Sequence, residues 1–289
     1  MEKTDLLNHI KECYPNLSKG QKRLSNYIIE NYDKAAFMTA GALGRTVGVS
    51  ESTVVRFTYA LGYKGYPKLQ KHLQEIIKNR LTSVQRLNIM DGIEPDRIID
   101  SVLKSDISNL NTTRSSLETD KVKQVAESII SARHIYIVGF RSCAPLAQFF
   151  SFYLRYILDN ISLVSTESSD VFTQLLHVGN DDVVIGIAYP RYSSQTVKGI
   201  RFARSKGAKI ITMTDNDLSP LYELADICLL TKNDINSFVD SYVAPLSLIN
   251  ALLTLIGSAK KQTLTDNFHT LEDLWQDNNI YGSKDERTE

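Results

Sequence analysis

The stretch TAGALGRTVGVSESTVVRFTYALGYKGY, from Thr39 to Tyr66, decides the fold of the first part of the chain. It predicts a helix, a tight turn and a second helix. Thr39 is suited to cap the first helix, and Gly48 marks its end because glycine tolerates the left-handed backbone of a sharp stop. Ser50 is suited to cap the second helix, in which apolar residues recur at helical spacing. The predicted buried stripe of that helix is Val54, Phe57 and Leu61.

The opposite face of the second helix carries hydrogen-bonding side chains near the helix N-terminus, the part that a helix-turn-helix protein inserts into the major groove. Arginine bonds guanine bidentately, and serine and threonine hydroxyls meet bases or phosphates. An ordinary helical hairpin with a solvated polar face shows the same pattern, so the motif alone leaves both interpretations open. The predicted DNA-binding residues are Arg45, Ser50, Ser52, Thr53, Arg56, Tyr59 and Lys64.

The same stretch resembles the N-terminal domain of RpiR-type bacterial transcriptional regulators. That family has the pattern Ser-x-x-Thr-x-x-Arg-Phe followed by Leu-Gly-aromatic-Lys-Gly-aromatic, and the match in this chain is long and ungapped. The resemblance implies a DNA-binding domain joined to a sugar-isomerase-like (SIS) domain. The matching positions are Ser50, Thr53, Arg56, Phe57, Leu61, Gly62, Tyr63, Lys64, Gly65 and Tyr66.

Charge is divided unevenly along the chain, although the net charge of its 289 residues is zero. Residues 1–90 hold 14 Lys and Arg against 7 Asp and Glu, a net charge of +7. The remainder holds 19 against 26, a net charge of −7. A basic head on an acidic body favours a polyanionic partner for the head alone, and we expect that partner to be operator DNA.

The spacing of the cysteines and the hydropathy of the chain indicate its cellular compartment. Cys13, Cys143 and Cys228 lie far apart and show no metal-ligand spacing, which is typical of a reducing compartment. The charged N-terminus predicts no signal peptide. The most apolar stretch, Val243 to Ile256, is too short to span a bilayer, so we interpret it as a buried helix. We therefore expect a cytoplasmic protein with no membrane association, no metal and no cofactor.

Hydrophobic periodicity predicts two domains of different class. Helical patterns predict a compact all-helical domain of about five helices in residues 1–80, and weak periodicity predicts a linker at 81–95. Residues 96–289 form the predicted SIS domain. Two helices open it, at 96–110 and 120–131.

The rest of the second domain alternates short runs of Ile, Val and Leu with helical patterns at 146–158, 195–205 and 240–258. Near-continuous apolar strands separated by helices predict a parallel sheet covered on both faces. Right-handed crossovers then give a three-layer α/β sandwich with a five-stranded parallel sheet. The five predicted strands are 134–138, 161–164, 182–188, 208–213 and 226–230.

Two polar loops of this domain, Gly139–Cys143 and Tyr189–Thr196, each follow a predicted strand and precede a helix. Ligands of open parallel sheets bind beyond the C-terminal strand ends, where helix N-termini attract anions. Each loop alone has the features of a polar connection with a capping serine. Two loops that each bring an arginine favour a phosphate or carboxylate ligand.

Both loops resemble the sugar-phosphate-binding motifs of SIS domains, Gly-x-Gly-x-Ser-x-x-x-Ala at 139–147 and Ser-Gly-x-Thr at 193–196. Three positions depart: Arg141 and Ser194 replace glycines, and Cys143 replaces the phosphate-binding serine. Because a thiol is a weak donor, we expect an unusual phosphosugar or a sugar acid. The predicted ligand-binding residues are Arg141, Ser142, Cys143, Arg191, Tyr192, Ser193, Ser194 and Thr196.

The expected function is a DNA-binding transcriptional regulator of carbohydrate metabolism, and not an enzyme, whose operator affinity is controlled by the bound metabolite. The alternative is a sugar-phosphate isomerase with a DNA-binding-like head. Its acid–base candidates are only His177 and Glu167, and an isolated histidine is more often structural. A module that only tethers partners is disfavoured by the basic head with Arg56.

A homodimer or tetramer is expected because a single small helical head buries too little surface for tight, specific DNA binding. The operator is then an inverted repeat. The apolar Val243 to Ile256 helix is the predicted contact between copies.

Overall fold

A computed structural model describes residues 6–80, 83–87, 94–165, 169–234 and 237–281. Contacts within the chain divide it into two compact units, residues 1–85 and 86–289. The division falls inside the segment predicted as the linker, most of which lies outside the described residues.

The first unit is helical in its described residues and has its own hydrophobic core. The predicted stripe is confirmed, because Val54, Phe57 and Leu61 are all buried in that core. A four-residue helix accompanies the longer helices that the periodicity predicted. The helices are α1 (Leu6–Cys13), α2 (Lys19–Glu30), α3 (Tyr32–Ala35), α4 (Ala40–Val47), α5 (Glu51–Ala60) and α6 (Tyr66–Arg80). A short helix α7 (Ser83–Leu87) follows within the predicted linker.

The second unit contains a five-stranded parallel sheet, as predicted, with strand order β2-β1-β3-β4-β5. The direction in which successive strands are added therefore reverses between β1 and β3. The edge of the sheet beyond the C-terminal ends of these two strands is the topological switch point. The strands are β1 (Ile135–Val138), β2 (Ile161–Val164), β3 (Val183–Ile187), β4 (Lys209–Thr214) and β5 (Ile227–Leu230). The helices are α8 (Pro95–Ser116), α9 (Thr119–Ser131), α10 (Ala144–Leu154), α11 (Val171–Gln174), α12 (Ser194–Ser205), α13 (Val243–Ala259) and α14 (Lys261–Asp277).

Helices cover both faces of the sheet, which confirms the three-layer sandwich. Successive side chains of a strand point to opposite faces. In β1, Ile135 and Ile137 join the core formed with α9, α10 and α13, while Tyr136 and Val138 join a second core formed with α11 and α12. Every residue of β1 is buried, which is why the strand reads as a continuous apolar run.

The apolar helix α13 lies in the core of its own unit, as its composition predicted. In the described part of the chain, no single helix is long and apolar enough to cross a membrane; α13 and α14 meet those criteria only as a pair bent by 98°. The long helix α8 is different, since several of its apolar side chains face solvent. Ile99, Leu103, Ile107 and Leu110 are between 38% and 67% exposed.

Candidate functional sites

The turn between α4 and α5 is fixed by caps on both helices, as the sequence predicted. Thr39 Oγ1 accepts a hydrogen bond from Ala42 N at 3.2 Å, and Ser50 Oγ accepts one from Thr53 N at 3.3 Å. Gly48 ends α4 with a left-handed φ of 72°.

Arg23 of α2 also holds this turn, a contact that no local pattern in the sequence predicts. Its guanidinium donates to the carbonyl oxygens of Val47 and Gly48, where the last carbonyls of α4 have no partner within the helix. A cation at this end of a helix is favourable because the helix dipole is negative there. Arg23 therefore ties α2 to the turn between α4 and α5.

The predicted recognition surface is an exposed cluster of hydroxyls around an arginine. Ser50 Oγ lies 2.9 Å from both Ser52 Oγ and Thr53 Oγ1. Arg56 Nε donates to Ser52 O at 3.3 Å, and the side chain of Arg56 is exposed. These groups surround the N-terminal end of α5, where the helix dipole adds positive charge.

The other predicted DNA-binding residues lie around this cluster. Tyr59 is exposed one turn further along α5. Arg45 is exposed in α4, and Lys64 is exposed in the turn between α5 and α6. The seven residues thus lie within α4, α5 and the two turns beside them.

The second site is a cavity of about 530 Å³ in the second unit. It lies beyond the C-terminal ends of β1 and β3, where the two predicted loops meet. Of the eight predicted ligand-binding residues, five line it: Arg141, Ser142, Cys143, Arg191 and Ser193.

The remaining three predicted residues take other places. Tyr192 donates its hydroxyl hydrogen bond to Asp215 Oδ1 at 2.8 Å. Thr196 is fully buried, and its Oγ1 accepts a hydrogen bond from Phe140 N at 3.3 Å. This buried hydrogen bond joins the two loops. Ser194 is the first residue of α12 and is exposed, while Ser193 stands at the N-cap position.

Two arginines of the cavity have an unusual backbone. Arg141 and Arg191 have φ angles of 57° and 69°, in the left-handed region that glycine adopts readily and other residues rarely. Among the described residues, Asn279 alone shares this property outside glycine. Strained backbone concentrates at functional sites, where the surrounding structure holds it in place.

One wall of the cavity comes from residues that the sequence analysis did not select. Arg86, in α7, and Asp240, in the loop after β5, form an ion pair with Nη1 and Oδ1 2.8 Å apart. Their side chains are only 2% and 13% exposed. Phe238, in the same loop, lines the cavity and is exposed at its rim. A signal existed for this loop, because β5 ends at the same edge of the parallel sheet as β1 and β3.

Cys143 stands in the cavity as a neutral thiol. It is buried, and burial raises the pKa of its thiol. Its Sγ lies 3.7 Å from the hydroxyl oxygen of Tyr242. Burial also raises the pKa of that hydroxyl. An uncharged thiol is a weak hydrogen-bond donor, so Cys143 offers an anion little.

The acid–base candidates of the isomerase alternative lie elsewhere. The carbonyl of His177 accepts from Arg133 Nη2 at 3.5 Å, and Arg133 precedes β1, so His177 lies at the opposite edge of the sheet from the cavity. Glu167 is outside the described residues. Asp240 is the single carboxylate among the described residues that line the cavity, and no group of metal-ligating side chains occurs in the described part of the chain.

Known proteins resemble both units. The family described as "Helix-turn-helix domain, rpiR family" matches residues 4–80, and the SIS domain family matches residues 128–255. The transcriptional regulator HexR of Pseudomonas aeruginosa is 24% identical over 264 residues, which cover 86% of this chain and 88% of HexR.

Two solved structures share the fold. The Vibrio vulnificus NanR protein, complexed with ManNAc-6P, has a TM-score of 0.59 at 17% identity and covers 96% of this chain and 100% of its own. The sugar isomerase domain of an RpiR transcription factor from Sphaerobacter thermophilus also has a TM-score of 0.59, at 23% identity, and covers 61% of this chain and 99% of its own.

Proposed function

The chain belongs to the rpiR family of helix-turn-helix transcriptional regulators that carry a SIS domain, and we propose that a small anionic sugar metabolite bound in the SIS cavity controls its affinity for operator DNA. The metabolite is a sugar phosphate or a sugar acid, and the regulated genes serve carbohydrate metabolism. Such a regulator works in the bacterial cytoplasm, where its operators are.

The observation that carries this proposal is the charge of the cavity. Arg86, Arg141 and Arg191 line it together with a single carboxylate among the described residues, so its described walls are positively charged. Its volume of about 530 Å³ lies within the usual range for small-ligand sites. Arginine forms a planar fork that matches phosphate and carboxylate groups. The ManNAc-6P complex of NanR, which shares the fold, supports a phosphorylated sugar.

Cys143 affects the binding of a sugar phosphate and of a sugar acid differently. SIS motifs place a serine at this position to bind phosphate, and here the thiol is neutral and a poor donor. A phosphate group would therefore depend on Ser142 and the arginines for its hydrogen bonds. A carboxylate, with fewer acceptor oxygens, needs fewer donors, so a sugar acid fits this departure well.

We propose that the DNA-binding form is a dimer on an inverted repeat, with α5 of each copy in the major groove. The contact between copies is better placed on α8 than on α13. Seven residues of α13 are buried in its own unit, whereas α8 exposes an apolar stripe and turns the polar Asn109 and Thr113 inward. Exposed apolar patches mark interaction sites.

Sedimentation of the full chain tests this assembly. Leu103→Glu introduces a charge into the α8 stripe and is expected to convert a dimer to a monomer with weakened operator binding. Phe152→Glu, on the exposed aromatic face of α10, is the matched control. Dissociation by Phe152→Glu alone would move the contact to α10, and a wild-type monomer with full operator affinity would exclude the dimer.

The isomerase alternative finds little support in the cavity. Aldose–ketose isomerisation needs a general base near the reacting carbon. Asp240 is the one carboxylate among the described lining residues, and it is already paired with Arg86. HexR, similar over most of its length, is named as a transcriptional regulator.

A thermal-shift screen of sugar phosphates against sugar acids tests the proposed ligand, because a ligand that binds only the native state raises the melting temperature. Arg191→Ala is expected to abolish both the shift and the ligand response of operator binding while ligand-free DNA binding stays intact. Arg201→Ala removes an exposed arginine of α12 that does not line the cavity, and it is the control. Stabilisation by neither class, or equal stabilisation of Arg191→Ala, would exclude this cavity as the effector site.

A further inference from the structure

The buried ion pair between Arg86 and Asp240 joins the cavity to the segment that connects the two units. Arg86 is the first residue of the second unit and follows directly on the last residue of the first. Its guanidinium lies in the wall of the cavity, 2% exposed, with Asp240 as its partner. A charge this far from solvent needs a charged partner, so whatever occupies the cavity competes for it or reinforces it.

The loop that carries Asp240 is also held by the helix that follows the linker. Lys232 N donates to Thr113 Oγ1 at 2.8 Å, and Asp234 N donates to Asn109 Oδ1 at 3.3 Å. Ser241 Oγ donates to Asp106 Oδ1. The inner face of α8 therefore binds this loop through polar groups rather than through apolar packing.

The loop after β5 thus contacts Arg86 of α7, which lies inside the predicted linker, and α8, which begins where that linker ends. The same loop forms one wall of the cavity through Phe238 and Asp240. Among the described residues, an ion pair connects this wall to the linker and three hydrogen bonds connect it to α8.

We propose that Arg86 binds the anionic group of the ligand, and that the ligand takes this guanidinium from Asp240 and so releases Arg86 from the loop after β5. The inference rests on the proposed effector site and adds the residue through which the ligand acts on the linker. A ligand anion repels the Asp240 carboxylate at short range, while it satisfies the buried guanidinium as well as Asp240 does. Occupied and empty cavities then differ in the partner of Arg86, which is the difference that a ligand needs to shift an equilibrium.

Substitutions of Arg86 and Asp240 are expected to change phosphate affinity in opposite directions if the ligand competes with Asp240 for Arg86. They would change it in the same direction if the ion pair only stabilised the wall of the cavity. Inorganic phosphate is titrated into the full chain by calorimetry. Asp240→Asn removes the competing carboxylate and is expected to tighten phosphate binding by about tenfold, because the like-charge repulsion is lost. Arg86→Gln removes the binding group and is expected to weaken it by about tenfold. The double variant should bind phosphate more tightly than Arg86→Gln and more weakly than Asp240→Asn, because loss of the carboxylate relieves the repulsion whether or not Arg86 is present.

Weakening of phosphate binding by both single variants would overturn the proposal, since it is the result of an ion pair that only braces the wall. If the wild type binds no phosphate, the same titration uses the sugar acid that raises the melting temperature, and a wild type that binds neither class contradicts the proposed effector site itself. Operator duplexes selected from random DNA add a second readout. Asp240→Asn without ligand is expected to bind the operator as the liganded wild type does, and an affinity equal to that of the ligand-free wild type would count against the release of Arg86.

If the variants fail to fold, amide exchange of the wild type still tests whether phosphate breaks the ion pair between Arg86 and Asp240. Phosphate is expected to speed exchange of the backbone amides in residues 237–242, as Asp240 loses its ion pair with Arg86 and keeps the hydrogen bond from the Tyr242 hydroxyl. Slower or unchanged exchange there, with phosphate bound, would contradict the competition.

Discussion

Both units place left-handed backbone at the turns of their candidate sites, but they fill those positions with different residues. In the helix-turn-helix unit the positions are Gly48, Gly62 and Gly65. In the cavity of the SIS unit they are Arg141 and Arg191. Glycine adopts this conformation without a Cβ penalty, and arginine does not.

The difference distinguishes positions where only the backbone conformation matters from positions where the charge of the side chain also matters. Away from the cavity, the SIS unit also uses glycine, at Gly207 with a φ of 86°. Arg141 even occupies a position where the SIS motif has glycine. An arginine that remains at such a position against its backbone preference is most simply explained by a role for its guanidinium. The glycines of the head need only allow its turns, Gly48 between α4 and α5, and Gly62 and Gly65 between α5 and α6.

The largest effect is expected where shape is essential, at Gly48. A Cβ at this position would lie 2.7 Å from Arg23 Nη2, so Gly48→Ala strains the backbone and also displaces the arginine that caps α4. We expect the free energy of unfolding of the head to fall by about 3 kcal/mol, combining backbone strain with the loss of a charged hydrogen bond.

Gly62→Ala is the matched control for this prediction. Gly62 has a φ of 81° but nothing within 4 Å of its added Cβ, so only the strain of about 1 kcal/mol applies. Denaturant unfolding of both variants measures the difference. Equal losses would show that Arg23 does not hold the turn.

The second effect concerns the residues that the glycines position. Arg56→Ala is expected to weaken operator binding by about 1–3 kcal/mol, and to weaken random DNA less, if the guanidinium meets a base edge. The free energy of unfolding should change by less than about 0.5 kcal/mol, because the side chain is exposed. Lys64→Ala is the contrast: it should weaken both DNAs alike and lower the salt slope by about 1. Identical binding by wild type and Arg56→Ala would place recognition on another face.

The two sites also differ in how far the sequence alone could predict them. The head was predictable because its caps, its stripe and its exposed face lie within one run of 28 residues, Thr39 to Tyr66, and each follows from local helix chemistry. The strands were predictable because burial on both faces leaves apolar runs. The two arginine loops followed from the rule that parallel strands end at one edge.

The wall formed by Arg86 and Asp240 was not predictable in the same way. The two residues are 154 positions apart, and neither lies in a periodic element that would fix its neighbours. Arg86 in particular stands in a segment whose weak periodicity gave no reason to expect buried charge. The exposed stripe of α8 was missed for a related reason, since periodicity shows that a helix has an apolar face but not whether that face is covered.

The smallest expected effect tests the strain itself. Arg141→Gly and Arg141→Ala both remove the guanidinium, so both should lose ligand binding, but only glycine relieves the left-handed backbone. We expect Arg141→Gly to unfold with a free energy about 0.5–1 kcal/mol higher than Arg141→Ala, since part of the relief is offset by the freedom of glycine in the unfolded chain. Arg201, exposed within α12, gives a control of opposite sign. There Arg201→Gly should be less stable than Arg201→Ala by about 1 kcal/mol, the ordinary cost of glycine in a helix. If glycine were the less stable substitution at both positions, Arg141 would not be strained, and its presence in place of glycine would need no functional explanation.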